Sequence, residues 1–312
     1  MNLFERIVKY IAIAFAIMLS FGIITGILTG VLAAAGMFSE EQPFIRKEDT
    51  EEMDFVKEFS NVKNLKVDIS FGRVEIVEGD TFRVTAEKVP DDCVIKMENE
   101  TLVVERESDN FVNFSFLRKN NYADAKLVIE FPAGFIADTV SLDTGSGVFS
   151  VEGLMAEKLQ MDTGSGSFVA KGLTAKETGL DTGSGAVTIE DSALGELSME
   201  SGSGLVHLTR VTAHDVELES GSGILTVEGS LTGDCSFDTG SGNVDLILYG
   251  NRSDYKILSD IGSGGLWVEG NRVKEDSIDI SAKHTLDFET GSGRVSLEFK
   301  QDENIHHPGT SF

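Results

Sequence analysis

The chain has 312 residues, 26 basic and 52 acidic, for a formal charge of −26. This excludes a nucleic-acid binder that neutralises phosphates and argues against binding to an anionic membrane surface, since both need clustered Lys and Arg. Apolar content of 41% supports a core rather than an acidic disordered chain, and two cysteines exclude a disulfide framework or a thiolate zinc site.

From Tyr10 to Ser39 no residue is charged, and Ile11, Phe15, Leu19, Phe21, Ile24, Leu28 and Leu32 keep the stretch apolar. Helical, it reaches roughly 45 Å, beyond the ~30 Å hydrocarbon thickness of a bilayer. A single transmembrane helix is therefore predicted over residues 11–37, with Gly22, Gly26 and Gly30 forming small-xxx-small patterns suited to helix packing. A cleaved signal peptide is the rival reading, with Ala33–Gly36 as its cleavage region. The apolar run is longer than the about 7–15 residues of a signal core, which favours an anchor. Arg6 and Lys9 precede the segment and Glu40 and Glu41 follow it. Residues 1–10 are then cytoplasmic, and the remainder is extracytoplasmic at the plasma membrane. Residues 38–62 read as a polar linker or stalk, with a short helix expected over Glu51–Phe59.

The following region, residues 63–300, is dominated by a repeat. An acid followed by x-Gly-Ser-Gly begins at Asp143, Asp162, Asp181, Glu200, Glu219, Asp238, Asp260 and Glu289. The first five intervals are 19 residues and the last two 22 and 29, which places insertions near Asn251–Ser253 and Asn271–Ser281. Apolar residues alternate on both sides of each motif, as in Leu159/Met161 before and Phe168/Ala170 after. Period-two alternation indicates strands with one buried face. Each repeat is strand, Gly-Ser-Gly corner, strand and a second turn, often with glycine, as at Gly153, Gly172 and Gly229. The corner glycines are read as supplying backbone angles that side chains forbid.

Nineteen residues are too few for a βαβ unit of about 30. They suit one coil of an all-β, parallel β-solenoid, whose coils bury enough apolar surface only by stacking. Residues 136–300 are the regular coils and 63–135 atypical N-terminal ones that cap the stack. Leu65–Ile76 looks like a degenerate first coil, and Cys93/Ile95/Met97 and Leu102/Val104 like two strands joined at Asn99-Glu100. Residues 301–312 form a polar tail. Cys93 and Cys235 take inward positions, as buried free thiols do.

The runs Lys126–Pro132 and Val140-Ser-Leu-Asp-Thr-Gly-Ser-Gly147, followed by coil after coil, resemble the bacterial "putative adhesin" β-strand-repeat family, a domain of unknown function related to auto-transporter adhesin heads. The resemblance spans about Leu65–Phe299. It implies a β-solenoid on a bacterial envelope, often membrane-anchored and in some members linked to envelope stress. It brings no catalytic residue.

Phe237-Asp-Thr-Gly-Ser241 matches the aspartic-protease hallmark. That chemistry needs two carboxylates sharing a proton at ~3 Å, whereas here eight copies stand in register. A stack instead places the row Asp143, Asp162, Asp181, Glu200, Glu219, Asp238 at ~4.8 Å spacing. The repulsion is offset by hydrogen bonds from the Gly-Ser-Gly amides and hydroxyls, by raised carboxyl pKa values, or by a weakly held row of cations. Ca²⁺ is the one candidate ion and no other cofactor is expected, although Ca²⁺ takes about six to eight oxygens and each coil offers one carboxylate.

His207, His214, His284, His306 and His307 read as surface residues without a metal-ligand spacing. Trp267, outward-facing, either stacks on a sugar or packs under the insertion that follows it. Phe111, Phe114 and Phe116, with Arg118 and Lys119, form either a cap over the first coil or a partner contact.

The favoured function is a non-enzymatic, membrane-anchored envelope protein, its solenoid an adhesin-like or envelope-stress-related scaffold whose partner is an unidentified envelope protein or glycan. The alternative is a binding module for cell-wall carbohydrate or divalent cations. A polysaccharide-cleaving β-helix enzyme comes third, because paired carboxylates in one cleft are missing.

Overall fold

The computed structural model describes residues 52–106, 122–273 and 282–301. The segment 11–37, the aromatic group Phe111, Phe114 and Phe116, His306, His307 and most of the tail lie outside them. Among the described residues the chain is all-β, its one helical turn being the 3-10 segment Arg252–Asp254, and no helix is long and apolar enough to cross a membrane.

Each regular coil contributes a nine-residue strand, the Gly-Ser-Gly corner and a five-residue strand. In one coil these are Met155–Thr163 and Ser167–Lys171, and in the next Thr174–Thr182 and Ala186–Glu190. Pairing is parallel with a shift of nineteen, so Asp162 faces Asp181 and Phe168 faces Val187. The solenoid predicted from the repeat is thus present as two parallel ladders. They are joined where Leu205–Ser220 runs as one strand from one ladder into the other. The alternating residues fill the interior: Leu159, Met161, Phe168 and Ala170 are all buried. Phe149 and Phe168 pack there with ring centroids 5.0 Å apart and planes tilted by 47°. In the coil where Thr178 replaces an inward apolar residue, its hydroxyl donates to the Leu194 carbonyl at 2.7 Å, which removes the cost of burying it unpaired.

The corner glycines have a different cause from the one the sequence suggests. None of them has a positive φ. A Cβ at Gly183 or Gly202 would instead lie 2.7 Å from the carbonyl oxygen of the equivalent glycine one coil back. These glycines are required by close coil-to-coil approach rather than by a special bend. Left-handed residues occur instead in the second turn, at Gly153, Gly172, Asp191 and Arg210. Gly229 is no turn: it lies inside the strand Ile224–Thr232, opposite Val211.

One further expectation changes at the N-terminal end, within the stretch read as a polar linker. Glu52–Phe59 is a strand, antiparallel to Phe82–Pro90, rather than a helix. Its apolar residues Met53, Phe55 and Phe59 alternate, and all three pack on the core, a period a helix would scatter around its surface. The degenerate first coil is present as Asn64–Asp68 and Arg73–Gly79, stacked on Ile136–Thr144 and Val148–Glu152. The Cys93–Glu98 and Thr101–Arg106 hairpin turns at Asn99 and Glu100, both at positive φ, the geometry of a tight two-residue turn.

At the C-terminal end the stacking order departs from the chain order. The last repeat, His284–Thr290 and Arg294–Lys300, lies directly on Asp234–Thr239 and Asn243–Tyr249. The preceding repeat, Tyr255–Ile261 and Gly265–Val268, stacks on its outer side. Inward positions explain the exchange. Phe237 stacks on Phe288 with centroids 5.1 Å apart, while the equivalent position in the outer coil is Ser259. A polar inward residue is tolerated at the open end of a stack and is costly in its middle.

Candidate functional site

The Gly-Ser-Gly corners align into one edge of the solenoid, and the acid preceding each corner faces outward because it alternates with the buried Thr or Ser after it. Asp143, Asp162, Asp181, Glu200, Glu219 and Asp238 line a single shallow groove of about 590 Å³. All six are brought together as the repeat predicts. The structure extends the row: Asp68 stands beside Asp143, and Glu289, not Asp260, follows Asp238, with Asp260 outermost. Asp68 was missed although Asp68-Ile-Ser-Phe-Gly72 is a worn version of the motif.

Crowded carboxylates favour the proton-bound form. Asp143 is shifted above the ordinary carboxylate range first by burial, then by Asp68 and Asp162, with Lys66 opposing. Asp181 is shifted the same way by burial and by its contact with Asp162, while Gln160 opposes. For Glu289 the repulsion of Asp238 comes first. Gln160, which the sequence did not single out, places a neutral donor in the row: its Nε2 donates to Asp162 Oδ1 at 2.9 Å and to Asp181 Oδ2 at 3.2 Å.

Of the three offsets expected, raised pKa values are present, whereas the amides of the first glycine and the serine of each corner do not reach the acids. Gly164 N donates to the Thr144 carbonyl at 3.0 Å and Ser165 N to the Gly145 carbonyl at 2.7 Å, and the pattern repeats up the stack. The inter-coil ladder thus consumes the amides of the first glycine and the serine of each corner. The hydroxyls beneath the row divide into two groups. Thr144, Thr239 and Thr290 each accept from the second corner glycine at 2.8–3.0 Å, whereas the buried hydroxyls of Thr163, Thr182, Ser201 and Ser220 have no partner among the described residues. Chemically the groove is a proton-sharing, cation-attracting strip. A hard cation there could bridge neighbouring carboxylates and would complete its oxygen shell from water.

Trp267 continues the outward column of His207, Thr226 and Asp245, joined through Ser296. Its ring lies over Gly265, where a Cβ would overlap it, with Arg294 at 4.5 Å and Arg272 at 5.6 Å from its centroid. The indole is thus already engaged by two guanidinium groups. His207 and His214 are exposed as expected, and His284 Nδ1 accepts from Gly233 N at 3.0 Å. Cys93 and Cys235 are free and buried, and burial pushes both thiols up to about 11, which makes them inert.

No curated protein matches the chain. Among solved structures it is similar to a protein named "putative adhesin" from Bacteroides fragilis NCTC 9343, at 12% identity, covering 80% of this chain and 98% of that one with a TM-score of 0.48. It is also similar to one named "putative lipid binding protein" from Parabacteroides distasonis ATCC 8503, at 15% identity, 81% and 98% coverage and a TM-score of 0.46. A "putative adhesin" from the same organism matches at 14% identity, 81% and 98% coverage and a TM-score of 0.41. The profile of the Toastrack DUF4097 family matches residues 62–298, in agreement with the resemblance carried by the Asp-Thr-Gly-Ser-Gly coils, and the chain belongs to that family.

Proposed function

We propose that the protein is a non-enzymatic, membrane-anchored cell-envelope component whose extracytoplasmic solenoid is an adhesin-like scaffold and contact surface. One observation carries the reading. On the outer face of the short-strand ladder two columns run side by side, Val148-Ser167-Ala186-Leu205-Ile224 and Ser150-Val169-Thr188-His207-Thr226. Over these five coils neither column holds a carboxylate, Lys or Arg, although the chain carries a charge of −26 and charged residues bound the strip, Arg73 and Glu75 at one end and Asp245 at the other. Leu205 and Ile224 are 55% and 45% exposed. A regular, uncharged, hydroxyl-bearing strip on a rigid body suits an extended neutral envelope polymer, and its acidic surroundings repel anionic competitors.

The test is binding of the full-length protein to purified cell-wall polysaccharide. The pair L205E/I224E is expected to weaken binding at least tenfold and W267A to leave it unchanged, since the indole is already engaged by Arg272 and Arg294. Undiminished binding by L205E/I224E would remove the strip from the argument. Protease digestion of intact cells tests the exterior placement, with the domain expected to be cleaved. The alternative, a binding module for divalent cations, is supported by the acidic groove. It predicts that a chelator lowers the melting temperature.

A further inference from the structure

We propose that Glu196, His214 and Asp215 form a transition-metal site that ties two adjacent coils together. The inference is independent of the contact-strip reading and of the acidic groove.

It begins from a feature of the long strands. Early in each one, pairing skips a residue and two consecutive side chains face solvent: Glu157-Lys158, Lys176-Glu177, then Gly195-Glu196 and His214-Asp215. In the earlier coils these residues neutralise one another. Lys176 pairs with Glu157, and Lys158 pairs with Glu177 at 3.3 Å. One coil further on the lysines stop, and the column continues as Glu196, His214, Asp215 and Asp234. Among the described residues none of these three carboxylates has a Lys or Arg partner.

At that position one imidazole nitrogen and two carboxylate oxygens lie within 4.8 Å of one another. Glu196 comes from Ala193–Ser201 and the other two from Leu205–Ser220, with Glu196 in register with His214. Asp215 is preset for the task. It occupies the extra position at φ 50, and its Oδ1 accepts from Asp234 N at 3.0 Å, which orients the carboxylate and leaves Oδ2 free. Gly233 beside it carries no side chain, and a Cβ there would collide with that carboxylate. Such outer hydrogen bonding is how metal ligands are usually aimed.

An imidazole with two carboxylates is a borderline donor set, suited to Zn²⁺ rather than to Ca²⁺ or Mg²⁺. A tetrahedral ion with bonds of about 2.0–2.1 Å needs its donors about 3.4 Å apart. All three side chains are exposed, so rotamer changes can close that gap, and water fills the fourth position. Bound there, the ion would replace the Lys–Glu pairs that join earlier coils.

The test is calorimetric titration of the full-length protein with Zn²⁺ in an H306A/H307A background, which removes the tail imidazoles. One Zn²⁺ per chain is expected. Affinity should fall at least tenfold in H214A and likewise in E196Q and D215N, and Zn²⁺ should raise the melting temperature of the parent but not of H214A. Ca²⁺ titration of H214A should match the parent, which separates this site from the groove. Equal Zn²⁺ affinity in H214A, or Zn²⁺ binding lost instead in D162N/D181N, would overturn the proposal.

Discussion

The side-chain amide of Gln160 reaches Asp181 by crossing the bare backbone of Gly179. The two residues are register partners on adjacent coils, and a Cβ at 179 would overlap the Gln160 amide oxygen. A glycine outside the Gly-Ser-Gly pattern thus has a defined role: it opens the path by which one neutral donor serves two acids. G179A should cost about 0.5–1.5 kcal/mol at neutral pH through the lost hydrogen bond. In a Q160A background the same substitution should be neutral or stabilising, since alanine is otherwise the better strand residue. Urea unfolding of the four proteins of this cycle measures the coupling, and additive effects would separate the two residues.

The acidic row makes stability depend on pH. Asp143, Asp181 and Glu289 have folded-state pKa values raised above their unfolded ones. Their contribution is complete below the unfolded value and is lost as pH rises through the folded value. Glu105, lowered chiefly by Lys96, and Asp191, lowered chiefly by Arg210, behave oppositely, losing their contribution as pH falls through the folded value. Melting temperature should therefore rise on acidification from neutral pH to the upper carboxylate range near roughly pH 5, and fall at lower pH as these pairs break. D181N should flatten the rise; an unchanged profile would count against crowding as its cause.

Glycines of the two kinds should respond differently to alanine. G183A and G202A push a methyl group into a neighbouring coil's carbonyl and should cost about 1–3 kcal/mol by overpacking. At Gly153 a Cβ meets nothing within 4 Å, but φ is +70, so G153A should cost about 1–2 kcal/mol through backbone strain alone. Replacement by asparagine distinguishes them. It should recover part of the loss at Gly153, where the left-handed region tolerates Asn, and worsen it at Gly183.

The exchanged order of the last two coils can be read with cysteine pairs. Ser236 faces Asp287, and Asp287 faces Leu258. Parallel neighbours at ~4.8 Å fall within disulfide reach of about 4.4–6.8 Å. S236C/D287C and D287C/L258C should therefore cross-link under mild oxidation, and S236C/L258C should not. Non-reducing peptide mapping gives the answer, and the reverse pattern would restore the order of the chain.

The architecture was legible in the sequence because a nineteen-residue period with two-residue alternation leaves few folds open. Identical residues recur where each coil templates the next, so the acidic row from Asp143 to Asp238, the inward phenylalanines and both buried thiols could be placed by counting. The hairpin at Asn99-Glu100 announced itself through turn residues between alternating runs. Tertiary structure decided what depends on contact between segments distant in the chain. The last repeat lies inside the one before it because Phe288 finds Phe237 while Ser259 can face the open end, a choice that spacing cannot encode. Asp68 joined the row only when its strand, Leu65–Asp68, stacked on Val140–Asp143. The corner glycines owe their identity to the carbonyls of the next coil. In the same way, Glu196, His214 and Asp215 converge through the register of two strands, which no linear spacing displays.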